Sequence, residues 1–537
     1  MTGAGRMRIL SGIAIATLVG WLSACGSSST NETTPADGGQ EEGDATETLD
    51  GSRDGATGRD AQAEDSGADA EVVDPNAKFV SPSGDDGNDG SMDSPWRTIP
   101  YAVSQLQAGE MLYVREGTYV LESGDVAGEF RWDKDMIAPP SGQEGQPTVI
   151  RNYPGERALL DASGLFLDCW QGIIDIKNKE HIVIQGLVLI GTYAKDRDGQ
   201  FSVGSCSDNH HHGYAGVMIV GSDDVEIRDM EVRKTTGSGI YAHGSTNLVV
   251  VGNDVGDCNK GGWEELISMS DCHGVEVAYN YVHDSPPSGI HNGYRKEGID
   301  CKDGTSDALV HHNTVVNTSL GIYLDARGHM ENIEVYANFL DGQGQGRGLQ
   351  VANEVGGDTY IRNMSIHDNI VVNWAIDAGL GWDREALGWQ HNNDFAFIYI
   401  YNNTFYGAQY LGFQFGLDFG VGYTENKRPH DIYIYNNIFA ESGNYNLWGR
   451  YSDATSFVLD HNVVPSPTSL VGENALLEDP QFVDAQGALQ GDPSGLVPIS
   501  GSAVCSFGNA DGSLPQSDED FSGNARFGPS AGALVCQ

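Results

Sequence analysis

Basic residues are scarce in this 537-residue chain: 30 Lys and Arg stand against 76 Asp and Glu, for a formal net charge of −46. Binding to a phosphate backbone needs clustered Lys and Arg, so nucleic acid is excluded as an expected partner. After the apolar run from Ile9 to Trp21 no second long one follows, so nothing further along is expected to cross a membrane. Apolar spacings of three and four are missing from the body of the chain, which excludes a helical solenoid. Metal-type Cys and His spacings are missing too, and His210-His211-His212 reads as a polar loop rather than a zinc site.

What the chain has instead is a phrase that returns. Alternating apolar residues, two spacers, an Asn and another apolar pair recur as LVVVGNDV around Asn253, VEVAYNYV around Asn280, LVHHNTVV around Asn313 and IEVYANFL around Asn338. MSIHDNIV, IYIYNNTF, IYIYNNIF and FVLDHNVV repeat it around Asn369, Asn403, Asn437 and Asn462. A return every ~24 to 34 residues marks a repeat architecture, and alternation at period two makes each repeat strand-built. An Asn at the same corner of every turn predicts side-chain amides stacked in a ladder, satisfying polar groups at the bend. A β-propeller needs about four strands in ~40 or more residues per repeat, which most of these spacings are too short to supply.

The pattern resembles a right-handed parallel β-helix, an all-β solenoid. Residues 131–465 form its body, 78–130 a cap with the first strands, and 466–537 a closing segment. In the cap, Ser94 before Pro95 predicts a helix start there, with Ile99, Ala102, Val103 and Leu106 on one face to plug the open end of the core. The stretch from Lys78 to Val120, and the ending with Asp479-Pro480-Gln481-Phe482-Val483 and DFSGNARFGPSAGA, resemble the opening and closing segments of extracellular β-helix polysaccharide lyases.

Arg6 and Arg8 before the apolar run, then Leu22-Ser23-Ala24-Cys25, have the layout of a secretory signal over residues 1–24. Leu-Ser-Ala-Cys resembles the lipobox of bacterial lipoproteins, which implies cleavage before Cys25 and a lipid on its sulfur. With Gly26 next, an outer-membrane lipoprotein is expected, touching the membrane only through that lipid. Residues 25–77, rich in Gly, Ser, Thr, Ala, Asp and Glu, cannot bury enough apolar surface to order themselves and read as a disordered acidic tether. Among the other cysteines, Cys258 with Cys272 and Cys505 with Cys536 are near enough to pair, Cys169 with Cys206 could tie a loop, and Cys301 reads as a buried thiol. Connectivity is not fixed by sequence.

Three consecutive coils open a strand with Gly and an apolar residue: Gly298-Ile299-Asp300-Cys301-Lys302, Gly321-Ile322-Tyr323-Leu324-Asp325-Ala326-Arg327 and Gly348-Leu349-Gln350-Val351-Ala352-Asn353-Glu354. Strand alternation turns Ile299, Cys301, Ile322, Leu324, Leu349 and Val351 inward. Asp300, Lys302, Tyr323, Asp325, Arg327, Gln350 and Glu354 then share one outer face, with Tyr241 and His243 in the same phase and Asp383 further on. Lys302 is expected beside Asp325 as an ion pair, and Arg327 near Glu354; as solvated pairs these are worth roughly 0 to 1 kcal/mol each. His243, Tyr323, Gln350, His291 and Arg295, with Tyr294, supply planar and basic groups that suit a carbohydrate chain and are the expected substrate-binding residues.

Glu297-Gly-Ile-Asp-Cys-Lys302, followed by Leu324-Asp325-Ala326-Arg327-Gly328, resembles the region that in β-helix polysaccharide lyases of the pectate lyase kind supplies a metal-binding carboxylate, a catalytic Lys and an Arg. The resemblance implies calcium held with the help of Glu297 and Asp300, Lys302 as the base of β-elimination, Arg327 as charge neutraliser and an acidic polysaccharide as substrate. Ser319 and Leu320 stand where that family's paired Asp residues would fall, and a carboxylate beside Lys302 favours its charged form. The alternative is glycoside hydrolysis by Asp325 and Glu354, on adjacent coils about 8 Å apart by strand geometry. Gly-Ile-Tyr-Leu-Asp325 looks like part of the catalytic pair of some β-helix xylosidases. A noncatalytic glycan-binding or adhesin-like surface protein, monomeric as in the other readings, is the third expectation.

Overall fold

The computed structural model describes residues 73–126, 129–131, 134–165, 170–191, 215–259, 265–286, 296–353, 359–375, 378–380, 394–416, 429–450 and 454–536. Cys25 and most of the tether, Cys169, Cys206, His210 to His212, His291, Tyr294, Arg295, Glu354 and Asp383 lie outside these.

Alternating apolar residues give short strands, and each strand pairs with its counterpart one repeat later, so three long parallel sheets wrap a common core. Among the described residues the first sheet has 13 strands, the second 11 and the third 10. One coil shows the plan: Thr246–Val251 in the first sheet, Asp254–Gly256 in the second, Ile267–Ser270 in the third. The next coil repeats it with His273–Ala278, Tyr281–His283 and Ile299–Asp303, each in register with the strand before. This is the right-handed parallel β-helix expected from the repeat. Ile299, Cys301, Ile322, Leu324, Leu349 and Val351 lie in the core, as alternation requires.

The turn from first sheet to second is held by the Asn ladder. Asn253 Nδ2 donates to Asn280 Oδ1 at 2.9 Å, and the chain of amides continues through Asn313, Asn338, Asn369, Asn403 and Asn437 to Asn462 at 2.9 or 3.0 Å per step. From Asn280 on, each Oδ1 also accepts the backbone N–H of the preceding ladder Asn, while Asn253 Oδ1 accepts from Met230, and each Nδ2 also donates to a backbone carbonyl one coil back, such as Asn338 to Val310. Buried amides thus satisfy a bend whose backbone groups no strand pairs. The residue before each Asn turns the chain in the left-handed region, for example Tyr279 at φ 56°, His312 at 53° and Asn402 at 54°.

The turn into the third sheet explains the opening glycines. A Cβ on Gly298 would lie 2.5 Å from Val315 Cγ1, and one on Gly321 2.4 Å from the carbonyl oxygen of Gly348. Successive coils approach too closely there for any side chain.

At the N-terminal end the capping helix spans Ile99–Gln105 with Thr98 as its N-cap, so it begins later than the Ser94-Pro95 start expected. Trp96 makes an isolated bridge to Val80, which keeps this stretch extended; Pro100 instead occupies the first turn. Ile99, Ala102, Val103 and Leu106 are buried in the core, as a plug requires. At the other end, Cys505 and Cys536 form a disulfide. Cys258 and Cys272 do not pair: both point into the core as buried thiols, as Cys301 does.

Candidate functional site on the third sheet

Register places the expected residues in two rows on the outer face of the third sheet. Tyr241, Ser268, Asp300, Tyr323 and Gln350 follow one another in the first row; His243, Ser270, Lys302, Asp325 and Ala352 in the second. A solvated sheet was expected, yet Asp300 is 1% exposed, Lys302 6%, Asp325 2% and Gln350 1%. Charged groups so deep must be paired or change protonation.

Lys302 is the centre of the group, and its partner differs from the one expected. Asp325 is its Cα neighbour, but Lys302 Nζ reaches back one coil and donates to Glu265 Oε2 at 2.7 Å, with Asp300 Oδ2 at 3.9 Å. Ser268 Oγ donates to the same Glu265 oxygen at 2.8 Å. Asp325 instead faces Arg327, two residues on and just past the end of its strand, at 3.3 Å; the Arg327 side chain is half exposed. A flexible four-carbon stem lets Lys302 choose between neighbouring coils, while Arg327 occupies Asp325. Glu265 and Ser268 carried no opening Gly-apolar signature, although Ile267 and Met269 keep the inward phase that could have revealed them.

The carboxylates outnumber the cations. Burial, then the nearby charge of Glu265, pushes the Asp300 carboxyl well above its ordinary value. The same two causes push Glu297 up to about 7. Glu297 as a residue is partly exposed, but its Oε2 is buried, and neither that oxygen nor Asp300 Oδ1 has a hydrogen-bond partner among the described residues. Such oxygens suit a hard cation. Among the described residues, however, no three His, Cys, Asp or Glu side chains converge closely enough to hold a metal ion.

The remaining residues frame this cluster. His243 Nδ1 lies 3.0 Å from Ser270 Oγ, whose hydroxyl donates to Asp303. Trp170 packs edge-on to Tyr241 at 5.9 Å and tilted to His243 at 5.8 Å. Arg347 donates to Gln350 Oε1 at 3.1 Å, and Tyr323 packs with Leu320 and Ala352. His291, Arg295 and Glu354 lie outside the described residues.

Comparison with known proteins matches two families. Residues 78–259 match the family described as Pel9A-like, right handed beta helix region, and residues 170–453 match NosD, described as periplasmic copper-binding protein. The protein YwoF of Bacillus subtilis is 28% identical over 366 residues, 62% of this chain and 70% of its own length. Pectate lyase PEL9 of Emericella nidulans is 31% identical over 147 residues, 25% of this chain and 31% of that protein. The solved structure of XylC with xylose covers 86% of this chain and 98% of its own at 12% identity and TM-score 0.52, a likeness of fold. That of pectate lyase Pel9A covers 86% and 97% at 15% identity and TM-score 0.49. With just over half of its length matched, this pectate lyase-like right-handed parallel β-helix protein belongs to the NosD family.

Proposed function

We propose that this protein is exported and cleaves a uronate-containing polysaccharide by β-elimination on the third sheet. The observation that carries the reading is the burial of Lys302 among carboxylates, two residues from Asp300 and one coil from Asp325 and Arg327. The partial similarity to a pectate lyase supports it. β-Elimination removes the weakly acidic proton beside a uronate carboxylate, and the enzyme must supply a base and offset the charge that develops. Lys302 Nζ is assigned the proton and the half-exposed Arg327 the uronate carboxylate. Glu265 at 2.7 Å favours the ammonium, so Lys302 must give up its proton before it can accept one. Glu297 and Asp300 are the residues that would help hold calcium, which takes six to eight oxygens, the rest coming from water and the polysaccharide. Bound there, calcium would neutralise the uronate carboxylate and so acidify the adjacent C–H.

A specific observation favours a second reading, glycoside hydrolysis. Burial and the nearby Glu265 push the Asp300 carboxyl well above its ordinary value while Asp325 faces Arg327, and two carboxyls whose environments push them apart suit an acid and its charged partner. One coil and two residues put their backbones about 8 Å apart, within the span of glycosidase pairs. Asp325 with Glu354 is the other candidate pair for that chemistry.

Incubation with a panel of uronate polysaccharides, with calcium and with chelator, separates the readings. Unsaturated products absorbing in the ultraviolet are expected. New reducing ends without that absorbance would replace the lyase by the hydrolase, and binding without either product would leave a glycan-binding surface protein. For location we propose a lipid on Cys25 and an outer-membrane anchor. Mass spectrometry of the mature N-terminus is expected to find a diacylglyceryl Cys25, and an unmodified Cys25 would remove the anchor.

A further inference from the structure

The first sheet carries on its outer face a residue that its local chemistry does not ask for. Near the start of each of these strands one residue turns through the left-handed region. Asp307, Asn332 and Asn363 hold that position in the coils before Phe397, and Asp431 and Ser456 in those after it, all with φ between 51° and 57°. Asn and Asp tolerate this conformation through local hydrogen bonds, whereas a bulky ring there is an outlier. The polar side chains also bond from coil to coil: Asn332 Nδ2 donates to Asp307 Oδ1 at 2.8 Å and Asn363 Nδ2 to Asn332 Oδ1 at 3.2 Å. Phe397 has no donor with which to continue the row.

Packing does not account for the exception. Ile398 and Ile400 fill the core, while Phe397 is 42% exposed and meets the His430 ring edge-on at 5.6 Å. The next outward position carries Tyr399 and, one coil on, Tyr433, two partly exposed rings stacked at 5.1 Å, where the two preceding coils have Glu334 and Ser365. A strained, exposed ring beside two tyrosines is a feature that function retains against local preference. The charges around it are matched: Glu334 pairs with His367, His430 with Asp431, and Arg362 stands in register beside Glu331. Among the described residues the patch therefore has no excess of positive charge to draw in an anionic chain.

We propose that Phe397, with Tyr399 and Tyr433, forms a binding site for a neutral linear polysaccharide, on a different sheet from Lys302. One face of a pyranose ring is apolar C–H and stacks on an aromatic ring, while the hydroxyls at its rim bond to amides and phenols. Successive coils are ~4.8 Å apart, about the advance of one sugar unit in an extended chain. A chain running along the solenoid with one unit on Phe397 brings the units beyond it to the Asn363 and Asn332 amides. This binding does not depend on the reaction at the third sheet.

The test is calorimetric titration of the full chain with xylohexaose, cellohexaose and mannohexaose, beside hexagalacturonate. At least one of the neutral chains should bind, and Phe397→Asn should weaken that binding by at least about tenfold. Asn is what this row uses in the coils before, so Phe397→Asn should melt at or above the parental temperature, which separates loss of ligand from loss of fold. Tyr399→Ser, which copies Ser365 one coil earlier, is the second variant should the first misfold, with the same weakening expected. Parental affinity in the folded variants, or no binding of any neutral chain, would overturn the site. Binding of hexagalacturonate alone, lost in Phe397→Asn, would overturn the choice of a neutral ligand.

Discussion

In the lyase reading Lys302 carries both the chemistry and the difficulty. Its buried pairing with Glu265, which also accepts from Ser268, fixes the position of Nζ and opposes loss of its proton. Removing one partner of a buried pair leaves the other charge uncompensated, at a cost of about 3 to 5 kcal/mol. In the lyase reading Glu265→Gln should therefore shift the alkaline-favoured limb of the pH–rate profile to lower pH, because the neutral amine becomes easier to reach. An unmoved limb would remove Glu265 from the control of Lys302. Glu297 gives a stability prediction with a definite sign. Its folded value, raised to about 7 from 4.5, means that protonated Glu297 stabilises the fold below pH ~4.5 and that this is lost as pH rises through 7. The loss is on the order of 1 to 2 kcal/mol, discounted for partial exposure. Thermal melts from pH 5 to pH 8 should fall less for Glu297→Gln than for the parent.

At the scale of the strand and turn, the ladder does the organising. Asn338 accepts from Asn313 through both its backbone N–H and its Nδ2, and donates to Val310, Tyr336 and Asn369. Asn338→Ala would orphan several buried groups at once, and a loss of about 2 to 4 kcal/mol is expected in urea denaturation. A loss below about 1 kcal/mol would mean that the turn finds other partners. This element was legible in the sequence because every copy places Asn at the same phase after a strand of period-two apolar residues. The opening glycines were legible for the same reason, and with them the inward and outward residues of the third sheet. Two things were not legible. Alternation tells which face a side chain takes, not whether that face is covered, so the burial of Asp300, Lys302 and Asp325 was missed. Register gives Cα neighbours, not rotamers: Lys302 reaches back to Glu265, 37 residues earlier, past the Asp325 beside it.

Across the whole molecule, the C-terminal segment closes back on the solenoid. Tyr435 donates to the carbonyl of Pro515, Ser517 to Asp368, and Asn509 to Asp460. Arg526 pairs with Asp368 in a nearly buried bridge and also donates to the Gly532 carbonyl. The disulfide between Cys505 and Cys536 closes 31 residues of this segment. By loop-closure entropy it contributes about 3 to 4 kcal/mol, so the double variant Cys505→Ser, Cys536→Ser should expose this segment to protease while leaving the coils around Lys302 intact. Proteolysis as slow as in the parent would show that the side-chain contacts suffice. The scaffold sets the register of the third sheet, but a scaffold does not name a reaction.

The central claim is that the cluster around Lys302 performs chemistry on an acidic polysaccharide. The most direct measurement is the initial rate of unsaturated uronate formation by the parent and by Lys302→Ala, on whichever polysaccharide of the panel the parent cleaves, at equal folded concentration. The account predicts a loss of at least about 100-fold in the variant, the contribution of a positioned base. An undiminished rate from folded Lys302→Ala would contradict it and move the chemistry away from this residue.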